Sequence, residues 1–303
     1  MKIGIVGAGG YVGNALRLSC DQHGYRYVTL GRQATIDVAT FVAQIQQSDL
    51  DCLINCAGYT GKPNVDACEF HKAECIYGNA VLPGIIRDAC KIVGLPWGHV
   101  SSGCIYTGRR PDGAGFTEQD PPNFSFRQNN CSFYSGTKAL GEEVLGFGPH
   151  GPVPDGPVPD CYVWRLRIPF ENSTNPRNYL QKILAYERLL DAENSLSLLP
   201  EFTAALIDTF RLKLPYGIYN LTNPGSITTR EVVDLILQAG VTKKEFLFFR
   251  DESEFMRIAA ITPRSNCVLD ASKAVASGLK LTPVREALQK TLETWPSQER
   301  NPL

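Results

Sequence analysis

Histidine is scarce in this chain, and neither sign of charge is in excess. Only 4 of its 303 residues are histidines. No CxxC pair and no HExxH segment occurs, which argues against a zinc site, so no metal is expected. Lys and Arg number 30 against 31 Asp and Glu, a formal net charge of −1. A nucleic-acid or membrane-surface binder needs a basic excess that is missing here. No apolar stretch approaches the ~20 residues of a membrane helix. The start, MKIGIVGAGGYVG, has one positive charge and is interrupted by glycines at once, unlike a signal peptide. A cytoplasmic protein is expected. The 10 cysteines follow no repeated spacing and several lie in apolar runs such as DCLINCAG, so they read as buried, reduced thiols.

What is present is alternation. Short β-branched runs at Lys2–Val6, Arg26–Leu30, Cys52–Cys56, Pro96–Ser101 and Tyr162–Ile168 predict strands. Helical patterns lie between them at Gly13–His23, Thr35–Gln47, Ala73–Val93 (kinked at Pro83) and Tyr134–Phe147. Such alternation predicts an α/β fold: a Rossmann-type parallel sheet with helices on both faces. Beyond Ile168 the pattern is less regular. Helices are expected at Asn178–Leu190, at Thr228–Gln238 and twice within Ser272–Leu292, with a strand at Gly217–Leu221. Residues 1–168 are taken as the cofactor domain. Residues 169–303 are taken mainly as a smaller C-terminal substrate lobe, with the segment near 203–223 returning to the sheet. The Pro/Gly-rich stretch His150–Asp160 reads as an exposed loop.

Three motifs carry chemistry. Gly7, Gly10 and Gly13, spaced GxxGxxG, follow a strand and open a helix, the setting of a dinucleotide fingerprint. With Tyr11 and Val12 they form the candidate pyrophosphate turn at a helix N-terminus. The second strand ends in Gly31-Arg32 where an NAD site carries an acid. Arg32 suits a 2′-phosphate, so NADPH is favoured over NADH, and Asp37 is a candidate adenine contact. A surface arginine is the plain alternative. Tyr134 and Lys138, at i and i+4, share one helix face, and a neighbouring ammonium lowers a phenol's pKa. Together they suit protonation of an alkoxide, with Ser102 orienting the carbonyl and Lys138 also binding the ribose.

These motifs resemble the extended short-chain dehydrogenase/reductases of the nucleotide-sugar type. The segments GYTGKPNVDACEFHK (58–72), SSGCIYTG (101–108), FYSGTKALGEE (133–143), RLRIPFENSTNPRNYLQKI (165–183), YNLTNPGSITTREVV (219–233) and TPRSNCVLDASK (262–273) are similar to the 3,5-epimerase/4-reductases that complete L-rhamnose synthesis in plants and some viruses. Lys62, Ala67 and Phe70 depart from that pattern. The resemblance implies that Asn55, Cys56, Ala57, Gly58, Asn79 and Ile168 serve the cofactor. It implies that Cys104 and Lys182 serve epimerisation. Plain 4-reductases carry Asp-Tyr after the active-site Ser/Thr, whereas Ser102 is followed here by Gly103-Cys104. A thiol and a desolvated lysine can exchange acid and base roles at carbons acidified by the C4 ketone. Asp66, Glu69 and His71 are implied near the sugar, together with Asn178. Arg177 and Arg264 are read either as holders of the nucleotide diphosphate or as structural ion-pair partners.

The expected reaction is conversion of UDP-4-keto-6-deoxy-D-glucose to UDP-L-rhamnose. UDP rather than dTDP follows from the resemblance alone, as does a homodimer through the Tyr134 helix. Two other readings fit the motifs: a 4-reductase without epimerase activity, and a non-catalytic NADP-binding regulatory subunit. Retention of Tyr134 and Lys138 argues against the second.

Overall fold

A computed structural model describes residues 1–31, 36–148, 151–152 and 160–296. Five apolar segments and their helices build the first half: β1 (Lys2–Val6), α1 (Tyr11–His23), β2 (Arg26–Leu30), α2 (Val38–Ser48), β3 (Cys52–Asn55), α3 (Lys72–Ile76), α4 (Leu82–Val93), β4 (Trp97–Ser102), α5 (Phe133–Val144) and β5 (Tyr162–Leu166). The remainder contributes α6 (Tyr179–Ala185), α7 (Leu199–Arg211), β6 (Gly217–Asn220), α8 (Thr229–Gln238), α9 (Glu252–Ala259), α10 (Ser272–Ala276) and α11 (Val284–Glu293). The 6 long strands form one sheet in the order β6-β5-β4-β3-β1-β2, and every pair in it is parallel. The strand order reverses between β1 and β3, and ligands of open α/β sheets bind at the carboxyl ends beside such a switch.

Both faces of the sheet are covered, as nearly continuous apolar strands require. Ile3, Ile5 and Trp164 pack with Leu16, Phe202 and Leu206 on one side. Val6, Leu53 and Trp97 pack with Phe41 and Ile86 on the other. Burying each such side chain contributes about 1.5–3 kcal/mol. A separate core joins Phe170, Leu180 and Ile183 to Val232, Ile236, Leu288 and Leu292. Segment 199–220 supplies α7, packed on α1, and β6, the edge strand beside β5.

Several boundaries differ from the periodicity. The helix expected over 73–93 is interrupted before Pro83, not at it: residues Tyr77–Val81 form a π-helical turn. Pro83 sits in the first turn of α4, where no N–H is needed. The helix expected at 178–190 ends at Ala185, and Arg188–Leu189 instead pairs with Leu247–Phe248. β5 stops at Leu166, and Ile168 turns into the left-handed region at φ 37°. The helix expected at 134–147 ends at Val144, and Phe147–Gly148 pairs with Gly151–Pro152. Most of the loop read at 150–160 lies outside the described residues. α9 carries no fully buried residue, so its apolar stripe is too thin to stand out from the sequence.

A buried ion pair ties α5 to β5. Arg165 and Glu142 are 2% and 3% exposed at the side chain and 2.7 Å apart, and Ser101 donates to the same carboxylate at 2.5 Å. Removing one partner strands the other charge, at a cost of about 3–5 kcal/mol. Arg165→Leu is therefore expected to lower the urea midpoint sharply. A midpoint within error of the parent's would contradict that cost.

Candidate active site

The turn after β1 is built for close backbone approach. Gly7 has φ +79°, and a Cβ there would lie 2.5 Å from the Ala57 nitrogen. A Cβ on Gly13 would lie 2.2 Å from the Gly7 oxygen, so α1 seats against the turn only with glycine at this place. Gly10, the N-cap of α1, offers no side-chain cap. The N–H groups of the first turn, at Tyr11, Val12 and Gly13, are left for an anion. These features fit a dinucleotide diphosphate. Asn55, at the end of β3, accepts from Ala57 N–H at 2.9 Å and shapes the next loop, Cys56-Ala57-Gly58. Arg32 lies outside the described residues. Asp37 caps α2, accepting from Thr40 N at 2.8 Å and Thr40 Oγ1 at 3.0 Å, which holds its carboxyl below the usual range.

The interrupted helix brings Asn79 inward. Its amide donates to Tyr59 O at 2.9 Å and to Thr137 Oγ1 at 3.0 Å, and its oxygen accepts from Tyr59 N at 2.9 Å. Asn79 thus pins the loop after β3 to α5, the helix that carries Tyr134 and Lys138. Ser132 caps α5 through Ser135 N. Glu69 accepts from Phe133 N at 2.8 Å and secures the same end.

Tyr134, Lys138, Ser102 and Cys104 come together at the carboxyl end of β4. Ser102 accepts from Cys104 N at 3.2 Å, opening the turn Gly103–Ile105. Tyr134 packs against the cluster that holds Cys104, and the Ser102 hydroxyl is near enough to both to favour their charged forms. Burial pushes the Tyr134 phenol well above its ordinary value, so it holds its proton firmly. Burial likewise pushes the Cys104 thiol up, opposed by Ser102, Arg167 and Lys138. Lys138 is 4% exposed. Its Nζ donates to Val100 O at 3.1 Å and lies 3.3 Å from His99 Nε2, and burial lowers its pKa.

Lys182 sits in the last turn of α6. Burial and the charge of Arg177 lower its pKa. Among the described residues its ammonium makes no hydrogen bond or ion pair. Arg177 donates to Thr60 Oγ1 at 2.8 Å, which ties the approach to α6 to the loop pinned by Asn79. Asn178 is spent as the α6 cap, accepting from Leu180 N and donating to Glu171 O and Ser173 O. Arg264 forks onto Asp66 at 2.6 and 2.7 Å, the ion-pair alternative for that arginine. Both Asp66 oxygens are thereby engaged. His71 is exposed at the start of α3, 3.8 Å from Glu74. His99 and Thr137 carried no motif, and only the pairing of β3, β4 and α5 reveals them.

Residues 1–186 match the family model described as RmlD substrate binding domain. The chain belongs to this family. It is 35% identical over 294 residues to a bifunctional dTDP-4-dehydrorhamnose 3,5-epimerase/dTDP-4-dehydrorhamnose reductase of Arabidopsis thaliana, covering 94% of this chain and 90% of the relative. A trifunctional UDP-glucose 4,6-dehydratase/UDP-4-keto-6-deoxy-D-glucose 3,5-epimerase/UDP-4-keto-L-rhamnose-reductase of the same plant is 33% identical over 295 residues. That match covers 96% of this chain and 41% of the relative. The fold matches the L780 UDP-rhamnose synthase of Acanthamoeba polyphaga mimivirus with a TM-score of 0.86 at 24% identity, over 97% of this chain and 99% of that one. It also matches a Bacillus anthracis dTDP-4-dehydrorhamnose reductase solved with NADP, with a TM-score of 0.76 at 19% identity over 96% and 98%. Like those folds, this RmlD-family chain has a Rossmann-like parallel sheet with helices. None of its described helices is long and apolar enough to cross a membrane.

Proposed function

We propose that this chain is a bifunctional enzyme that inverts C3 and C5 of UDP-4-keto-6-deoxy-D-glucose and then reduces C4, forming UDP-L-rhamnose. The observation that carries the reading is the convergence of Ser102, Tyr134 and Cys104 at the end of β4, where Tyr134 packs against the Cys104 cluster and the Ser102 hydroxyl acts on both groups. One carbonyl held at Ser102 would face a reductase acid and an epimerase acid/base together. The plant relative named for both activities supports it.

The glycine turn of residues 7–13, the loop of residues 55–58 and Lys138 would hold NADPH. When bound, NADPH supplies the hydride for C4. Ser102 donates to the C4 oxygen and polarises the ketone, and Tyr134 gives its proton to that oxygen. Lys138, one helical turn from Tyr134 on α5, completes the reductase pair. The C4 ketone acidifies the protons on C3 and C5. Burial raises the proton affinity of Cys104 and lowers that of Lys182. A thiol and an amine can each give or take a proton, as inversion at two centres requires.

The test is incubation of UDP-4-keto-6-deoxyglucose with the protein in deuterated water, without NADPH. Deuterium is expected at C3 and C5, and a substrate recovered unlabelled at both carbons would end the epimerase half. The pH dependence has a definite sign. Burial pushes the Cys104 thiol up and, with the Arg177 charge, pulls the Lys182 ammonium down. Exchange needs one of them in its base form, so its rate should climb as pH rises. A flat profile would exclude this pair as the acid and base.

A further inference from the structure

The side chains behind Lys138 form a hydrogen-bonded row with a mismatch at its end. Asn55, His99 and Lys138 are 0%, 1% and 4% exposed, so water does not relieve it. Ala57 N–H donates to Asn55 Oδ1 at 2.9 Å, which fixes the amide's orientation and leaves Nδ2 facing His99 Nδ1 at 2.9 Å. An amide nitrogen is only a donor, so His99 Nδ1 must accept. Burial holds His99 neutral. Its one ring hydrogen then sits on Nε2, aimed at Lys138 Nζ 3.3 Å away. This tautomer is inferred from the partners. An ammonium at that place brings two donors together, whereas an amine accepts from Nε2 and still donates to Val100 O. Reversing the imidazole hydrogen moves the conflict to Asn55, and flipping Asn55 moves it to Ala57. Only the amine satisfies every group in the row.

We propose that Asn55 and His99 are positioning residues that set the proton affinity of Lys138: Asn55 holds His99 as the Nε2–H tautomer, and that hydrogen opposes the ammonium. The inference rests on the reading of Tyr134 and Lys138 as the reductase pair. After the phenol has protonated the C4 oxygen, its phenolate takes a hydrogen from the Lys138 ammonium, leaving phenol and amine. A loosely held hydrogen on Lys138 makes that step easy. The row also reaches the cofactor loop at Ala57, so the loop and the proton source share one scaffold. The other titratable groups facing Lys138 are Cys104 after β4, Cys75 on α3 and Glu142 on α5, each of which favours the ammonium. Tyr134 lies one turn away on α5. His99 is the donor that opposes them.

The direct test is the nitrogen-15 imidazole spectrum of the full chain, simplified by having only 4 histidines. The expected result for His99 is hydrogen on Nε2 and none on Nδ1, and the opposite tautomer would overturn the inference. The second measurement is a carbon-13 titration of lysine Cε in the parent and in His99→Gln, with Lys138 assigned by its loss in Lys138→Met. Glutamine can turn its carbonyl toward the ammonium, so the Lys138 midpoint should rise by about one pH unit, a tenfold gain in proton affinity. Asn55→Asp, which accepts from Nδ1–H, should reverse the tautomer and raise the midpoint as well. An unchanged midpoint in His99→Gln would contradict the proposal, and should that variant not fold, the parent histidine spectrum decides alone. In His99→Gln the alkaline limb of NADPH-dependent reduction should move with the midpoint while KM for NADPH holds, and a fall in kcat with an unmoved limb would mark a merely structural role. A midpoint that moves in a protein reducing no nucleotide-linked 4-keto sugar would leave the row intact and remove the reductase reading.

Discussion

Replacing Tyr134 with phenylalanine is expected to slow NADPH-dependent reduction by about 10²–10⁴-fold, the range of a lost general acid. The ring fills the same space, and the phenol's hydrogen is what disappears. Because burial holds that phenol protonated, the parent has its proton in place at neutral pH, so the loss should appear in kcat rather than in KM. Deuterium exchange at C3 and C5 should continue, since it depends on other groups. Stopped-flow decay of NADPH absorbance and exchange by mass spectrometry separate the two. Unchanged turnover in Tyr134→Phe would revive a non-catalytic, NADP-binding role.

The converse result is expected for Cys104→Ala. Cys104 is 5% exposed, and alanine removes its thiol without adding bulk. Exchange at C3 and C5 should fall by about 10²-fold or more, while reduction of an already epimerised 4-keto sugar stays within about threefold of the parent. The two variants thus divide one site into two activities. If Cys104→Ala handles the unepimerised sugar as well as the parent does, the thiol is a packing residue and the chain is a 4-reductase only. Some structural cost accompanies the change, because Cys104 packs with Ile105, Tyr106, Phe116 and Leu269. Thermal melting of the variant sets that cost apart from the chemistry.

What was legible in the sequence is what depends on neighbours along the chain. The glycine spacing after β1, the Tyr134–Lys138 spacing and the β-branched runs each state a local geometry, and β1 and β2 run between the residues the pattern indicates. The Thr228–Glu231 capping box behind α8 is equally local. What was not legible depends on partners far away. Asn79 needs Thr137, 58 residues on, and the π-turn that presents it has no sequence signature. Arg264 is committed to Asp66, 198 positions earlier, which spacing cannot reveal. Glu69 is fixed by Phe133 N–H, 64 residues away. Asn178 did carry a local signal: an asparagine just ahead of an apolar helical run is a common N-cap.

The division of labour among Ser102, Tyr134, Cys104 and Lys182 is the centre of the account. It is tested most directly by one product spectrum: UDP-4-keto-6-deoxyglucose, NADPH and the protein in deuterated water, with the sugar product read by NMR. The prediction is UDP-L-rhamnose carrying deuterium at both C3 and C5. A reduced product that keeps the starting configuration and the original hydrogens at those carbons would contradict it.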